Sequence, residues 1–342
     1  MVVVDTIKFG AAGALSGVRT AQTPQFYHGV KIAVDHWNLN NSVKAEVVWG
    51  DDQARAEIAS EIARDFITQK VEGVVGHFSS ICALKASPIY MDKKVPLILP
   101  AATNSMLTKQ KNVFRMCATD EESSKLIANV SMNRIKANRI AFISDSSFYG
   151  MNHIESIYKE TIKIKKIDAM VMQWKEHNEV APLVEQILEF NPDLIIFSGR
   201  CHVAVHFMHS FRKNMKEISF VFGDDVIIKE FTDNVNYTKG NIWAVGPAPI
   251  PLNDISIQFI DEYESIVGSK PGFYAASTYA SVQLLLQSIM KNRLKNVDLL
   301  DVIAGNEFET IIGNVKFDSN HELKNQPISL WNLKNEIFVP IK

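Results

Sequence analysis

Short runs of β-branched and apolar residues alternate with longer amphipathic stretches along almost the whole chain. No other feature constrains the fold so tightly. Thr6 to Ala12, Val43 to Trp49, Val71 to Val75, Val95 to Leu99 and Val113 to Met116 read as strands. Phe26 to Asn40, Ala54 to Gln69 and a stretch through Lys85 to about Met91 read as helices between them. In the second of these, Ile58, Ile62 and Phe66 recur at four-residue spacing, the period of a buried helical face. After Cys117 the pattern restarts with a helix over Glu122 to Ile135 and a strand over Arg139 to Ser144. A turn at Tyr149-Gly150, a helix to about Ile162, strand Ala169 to Trp174, helix Ala181 to Phe190 and strand Leu194 to Ser198 follow. Helix His202 to Asn214, strand Phe220 to Gly223, a short helix to Val235 and strand Ile242 to Gly246 complete this part. Such alternation predicts an α/β protein with parallel sheets covered by helices on both faces. At 342 residues, the length suggests two domains of about 150 residues each.

Pro247, Pro249 and Pro251 mark a change of composition and a crossover. Ile255 to Val267, Tyr274 to Lys291 and Val297 to Ala304 then read as helices. The second of these is long and apolar enough for a core. Thr310 to Phe317, Ile328 to Leu333 and Ile337 to Pro340 read as strands around turns. No repeat of solenoid type is present. The chain is 46% hydrophobic with a net charge of −2, without a basic stripe that would suit nucleic acid. No apolar run approaches the roughly 20 residues that span a bilayer, so no direct membrane insertion is expected. Cys82, Cys117 and Cys201 are an odd and sparse set, not a disulfide framework.

The stretch from Val71 to Thr108 carries the clearest chemistry. Gly76 ends a strand, and Ser79 and Ser80 stand where a helix N-cap belongs. The strand ending at Leu99 opens into Pro100-Ala101-Ala102-Thr103-Asn104-Ser105. Two strand ends thus aim loops of small and hydroxyl residues at one place, where ligands of open α/β sheets sit. The helix N-terminus adds free amides and partial positive charge.

Enzyme chemistry has little to stand on, and no cofactor is expected. Gly10, Gly13 and Gly17 match neither the dinucleotide nor the phosphate-loop spacing. No G-x-S-x-G elbow appears. Cys82 reads as core inside its helix, and Asp51-Asp52 and Glu121-Glu122 as loop and helix-start charges. His202, His206 and His209 share one helix face beside Cys201, which makes a transition metal conceivable. Without a following Glu or a second cysteine nearby, half-buried face residues are the better reading.

The order of several motifs points further. GAAGALSG, FYHGVKIAVDHWN, the Asp51-Asp52 pair and GHFSS are followed by P-x-I-x-P-A-A-T and L-T. Then come Ser147-Phe148-Tyr149-Gly150, Phe222-Gly223-Asp224-Asp225 and Tyr274 to Tyr279. Across essentially its whole length the chain resembles the branched-chain amino acid (Leu/Ile/Val)-binding proteins of bacterial ABC transporters, which have the type I periplasmic binding protein fold. The resemblance implies two Rossmann-like lobes, 1–118 plus 249–324 and 119–248 plus 325–342, with a ligand cleft between them and a three-crossover hinge. It implies an extracytoplasmic solute-binding protein that captures an amino acid or related small carboxylate and docks on an ABC permease. The opening MVVVDTIKFG has no signal segment; the resemblance favours a trimmed signal over a cytoplasmic protein. The family often has a disulfide between the loop after strand two and the GHFSS turn. Gln53 to Ala56 supplies no cysteine, so that bridge is expected to be absent.

A zwitterionic amino acid needs donors for its carboxylate, and acceptors and a negative charge for its ammonium, because a desolvated unpaired charge costs several kcal/mol. By resemblance, Ser80 and Thr103 suit the carboxylate, the Ala101 carbonyl accepts from the ammonium, and Asp225 supplies the counter-charge. Tyr149 matches an aromatic at the cleft. Ser79, Ala102 and Tyr274 complete the expected ligand contacts. Each has a plainer reading: Ser80 as an N-cap alone, Thr103 as a loop residue, Asp224 or Asp225 as a solvated turn, Tyr149 as packing. Arg200 and Gln22 fall on positions where the family commonly has aromatics, and Arg19 lies close by. An unpaired Arg200 beside the ligand would call for an acidic or polar group on it; pairing within the protein is the other reading. Two alternatives stand beside the transport reading: a cytoplasmic ligand sensor of the same fold, of the amide-responsive kind, and a nucleotide-dependent α/β enzyme.

Overall fold

The structure, a computed structural model, describes residues 6–16, 23–175, 179–211, 218–235, 241–295 and 297–341. The chain begins with β1 (Thr6–Gly13), α1 (Thr23–Asn40), β2 (Lys44–Asp51), α2 (Ala56–Thr68), β3 (Val74–Gly76), α3 (Ser80–Met91), β4 (Leu97–Leu99) and β5 (Val113–Arg115). It continues through α4 (Asp120–Asn129), β6 (Arg139–Asp145), α5 (Phe148–Ile164), β7 (Asp168–Trp174), α6 (Ala181–Phe190) and β8 (Leu194–Ser198). Next come α7 (Cys201–Phe211), β9 (Ser219–Phe222), α8 (Lys229–Asn234) and β10 (Ile242–Pro247). The last part holds α9 (Asp254–Val267), α10 (Phe273–Lys295), α11 (Leu299–Gly305), β11 (Phe308–Thr310), β12 (Gly313–Val315), β13 (Ile328–Lys334) and β14 (Ile337–Ile341).

These elements form two compact units. Unit 1 holds residues Met1–Cys117 and Ile250–Gln326, and unit 2 holds Ala118–Pro249 and Pro327–Lys342. The chain therefore passes from one to the other three times. Unit 1 has a parallel sheet in the order β2-β1-β3-β4-β5. Its core gathers around α10, whose hydroxyl residues Thr278, Ser281 and Ser288 are buried yet satisfied, each donating to the carbonyl four residues back. That device lets a long helix with polar residues lie in an apolar interior.

Unit 2 has the order β14-β13-β10-β9-β8-β6-β7. Its core strands β6 to β10 pair in parallel, and the two C-terminal strands, read from the sequence as strands around turns, add an antiparallel edge. β13 runs antiparallel to β10, and β14 antiparallel to β13. The β13–β14 pairing has a local cause: Asn335 and Glu336 both adopt positive φ, 49° and 62°, in a two-residue hairpin turn that returns the chain antiparallel. The expected helix over Glu122 to Ile135 is also two pieces, α4 and a π-helical turn at Val130–Ile135. Among the described residues no helix is long and apolar enough to cross a membrane.

Candidate functional site

In unit 1 the turn after β3 is held very tightly. Gly76 has φ of +113°, and a Cβ there would lie 2.0 Å from the Ala12 carbonyl oxygen, so only glycine fits. The next residue, His77, is fully buried. Its Nδ1 lies 2.8 Å from the Asp52 carboxylate and its Nε2 3.0 Å from the Tyr90 hydroxyl. The carboxylate only accepts, so Nδ1 donates to it. The loop after β2 and the GHFSS turn, which the family often joins by a disulfide, are here joined by this hydrogen bond. All three cysteines are free and buried. Burial, and then the Asp52 charge, push the Cys82 thiol up to about 12, so it stays protonated and is no nucleophile.

Ser79, not Ser80, is the N-cap of α3: its hydroxyl oxygen accepts from the Cys82 N–H at 3.5 Å. Ser80 sits one residue inside the helix, half-buried, and its hydroxyl has no hydrogen-bond partner among the described residues. The loop after β4 treats neighbouring residues differently. The carbonyls of Ala102 and Asn104 both accept from the Arg115 guanidinium, the second at 2.7 Å. The Pro100 carbonyl accepts from the Ser277 hydroxyl at 2.7 Å. Among the described residues, the Ala101 carbonyl and the Thr103 hydroxyl, N–H and carbonyl have no partner. Ala102 is buried with its carbonyl committed, so of its polar groups only the N–H remains for a ligand. Beside this loop lies an apolar patch of Ala101, Cys117 and Tyr274 with half-buried Phe78 and Phe273. Tyr274 meets Phe78 edge-on at 5.7 Å. Gln22, expected as a ligand contact, and Arg19 lie outside the described residues.

In unit 2 the expected site residues gather at the carboxyl ends of β6, β8 and β9. Asp145 ends β6 and is fully buried. Its carboxylate accepts from the Ser147 N–H at 3.0 Å and the Ser147 hydroxyl, and from the Arg200 N–H and Nε, both at 3.0 Å. Arg200 is therefore not an unpaired charge. The inference from it to an acidic ligand loses its premise, because a buried carboxylate 55 residues away in sequence already balances it.

Tyr149, in the first turn of α5, donates to Asp224 Oδ1 at 2.6 Å and stacks on His153 at 5.4 Å. Gly223 makes room for it, since a Cβ there would lie 2.5 Å from the Tyr149 hydroxyl. The His153 nitrogens meet the hydroxyls of Ser198 at 2.8 Å and Ser123 at 3.1 Å. Desolvation takes His153 down to about 4 against the pull of Asp224, so the ring is neutral at pH 7. Desolvation likewise raises Asp224 above the usual carboxylate range, opposed by the Tyr149 hydrogen bond. Tyr149 is raised well above its ordinary value by desolvation, then by Asp224, Asp120 and Asp225. Of the Asp224-Asp225 pair, then, Asp224 binds Tyr149, while Asp225 lies beside it in the same half-buried turn.

His206 and His209 of α7 have separate surroundings. His206 packs edge-on against Trp174 at 5.2 Å, and His209 Nε2 lies 2.6 Å from the Asn234 carbonyl. Among the described residues no group of three His, Cys, Asp or Glu is placed to hold a metal ion. Sequence reasoning missed Arg115, Asp145 and His153. A charge inside the apolar run Val113-Phe114-Arg115-Met116 was the available signal for the first. The other two carry none without their partners.

A family model described as periplasmic binding protein matches residues 6–336. A curated relative, Leu/Ile/Val-binding protein homolog 2 of Brucella abortus (strain 2308), is 23% identical over 95% of this chain and 90% of its own length. Among solved structures, a leucine binding protein from Thermotoga maritima superposes with a TM-score of 0.88 at 19% identity, over 98% of each chain. A solute binding protein of an ABC transporter from Rhodopseudomonas palustris BisB5, in complex with 3,4-dihydroxybenzoic acid, gives 0.84 at 21% identity, over 98% of this chain and 96% of the other.

Proposed function

Because the chain belongs to the periplasmic binding protein family, we propose that it is an extracytoplasmic solute-binding protein that captures an α-amino acid and delivers it to an ABC permease. The observation that carries this reading is the family match over residues 6–336, nearly the whole chain. Relatives named for leucine, isoleucine and valine support the amino acid class. The reading includes no catalysis.

The polar groups of unit 1 support a zwitterion over a plain carboxylate. The Ser80 hydroxyl and the Thr103 hydroxyl and N–H are donors suited to a carboxylate, and the Ala101 carbonyl is an acceptor suited to an ammonium. In this reading Asp225, from unit 2, adds the counter-charge, Tyr149 contributes an aromatic contact, and the two units close on the ligand by hinge motion at the three crossovers. The Phe78 and Tyr274 patch beside Ala101 favours an apolar or aromatic side chain on the ligand. With Arg200 balanced by Asp145, an acidic side chain is not required.

A thermal-shift screen of refolded protein tests this against the twenty amino acids, aromatic acids such as 3,4-dihydroxybenzoate, aliphatic amides, NAD and ATP. A ligand at about 100 times its Kd adds about 2.7 kcal/mol to the native state. The expected result is a raised midpoint with one class of amino acid and none with NAD or ATP. Response to aromatic acids or amides alone would replace the ligand class, and response to a nucleotide would overturn the reading altogether. No response to any compound would remove the amino acid assignment.

A further inference from the structure

Arg115 is fully buried. Its Nε donates to Glu322 Oε2 at 2.8 Å, and the other oxygen of Glu322 accepts from the Thr108 hydroxyl at 2.6 Å. The rest of the guanidinium donates to the carbonyls of Ala102 and Asn104. With the Ser277 bond to Pro100, the committed carbonyls belong to residues 100, 102 and 104. These anchors flank Ala101 and Thr103 in sequence, so they restrain the segment that carries the Ala101 carbonyl and the Thr103 polar groups, which have no partner among the described residues.

A rigid planar fork is needed for this. One guanidinium spans a carboxylate and two carbonyls at once, whereas a lysine ammonium is a single point charge. The location adds meaning. Arg115 lies two residues before Cys117, where the chain first leaves unit 1, and Glu322 lies four before Gln326, where it leaves again. The backbone N–H of Arg115 also donates to the His321 carbonyl at 3.1 Å, so both departing segments are tied together behind the loop.

We infer that Arg115, fixed by Glu322, is a positioning residue that presents the Ala101 carbonyl and Thr103 polar groups to the ligand and links that loop to the two chain crossings at 117 and 326. The inference deepens the amino acid reading and rests on it for the ligand, but the loop geometry is testable by itself. Arg115→Lys keeps the charge opposite Glu322 and loses the fork. The double variant R115M/E322M removes both buried charges together, which commonly leaves stability near neutral, and so keeps the test available if the single change unfolds.

Two readouts separate the outcomes. Hydrogen exchange at the Met106 and Leu107 amides, which donate to Asn104 at 3.0 and 3.2 Å, reports the loop. It should speed up about tenfold or more, while amides of β1 and β2 are unchanged. Calorimetric titration with L-leucine should show affinity reduced by about tenfold or more, the loss of a charge-assisted hydrogen bond. Unchanged exchange in a folded variant overturns the inference. So does L-leucine affinity within about twofold of the parent. Parent protein that fails to bind L-leucine counts against the ligand reading alone and leaves the exchange result to decide the loop.

Discussion

The two units prepare their residues by opposite means. In unit 1 the groups of the strand-end loops left without a partner among the described residues are backbone and hydroxyl, and polar side chains beside those loops are closed in pairs: Asp52 with His77, Arg115 with Glu322. In unit 2 the charges themselves stand at the strand ends. Asp145 holds Arg200, while Asp224 is raised by desolvation next to Tyr149 and a neutral His153. A backbone site is insensitive to pH and depends on how rigidly its loop is held. A site of desolvated titratable side chains is adjustable, at the cost of coupling stability to protonation. In the reading proposed above, a zwitterion would draw on both, its carboxylate on neutral donors and its ammonium on a counter-charge.

The largest effect that would break this contrast is at Asp145. Asp145→Asn keeps the volume but turns an amide donor toward the donors of Ser147 or Arg200. A loss of about 2–3 kcal/mol in urea unfolding is expected, because one partner of a buried pair is lost. A loss below about 0.5 kcal/mol would mean that unit 2 is not organised around this carboxylate.

The next effect is pH dependence. The folded-state value of His153, about 4, lies below its unfolded value of 6.5, so the unfolded chain binds the extra proton between them. Its contribution to stability is complete above about 6.5 and falls away as pH drops toward 4. Asp224 is shifted upward, holds a proton longer when folded, and works in the opposite direction across that window. His153→Gln should therefore flatten the fall in stability between pH 7 and pH 4.5 by about 2–3 kcal/mol, and Asp224→Asn should steepen it. An unchanged slope in both variants would contradict the titratable character assigned to unit 2.

The smallest effect sharpens the unit 1 side. Thr103→Val removes a hydroxyl without a partner among the described residues, so stability should move by less than about 0.5 kcal/mol. Affinity for the amino acid found in the screen should nevertheless fall by roughly tenfold. Equal affinity would remove Thr103 from the site.

Much of the fold was legible because hydrophobic period is a local property. The strands at Leu194–Ser198 and Arg139–Asp145, the buried helix from Phe273 and the serine cap before α3 all follow from neighbouring residues. Strands β13 and β14 and the turn between them are also legible locally, whereas the pairing of β13 with β10 joins segments about 80 residues apart and has no local signal. The site was legible only in part. Ser79 and Ser80 both stand where the sequence places an N-cap, and the structure gives the cap to Ser79 and the first helical position to Ser80.

What the sequence by itself determined is the alternation that forces covered sheets, and the small, hydroxyl-bearing loops at the strand ends. Only the tertiary structure decided which polar groups are committed. Arg115 meets Glu322 across 207 residues, Arg200 meets Asp145 across 55, and Tyr149 selects Asp224 across 75. The physical reason is that a buried charge takes whatever partner the topology brings within about 3 Å, and no local pattern in a chain records that distance.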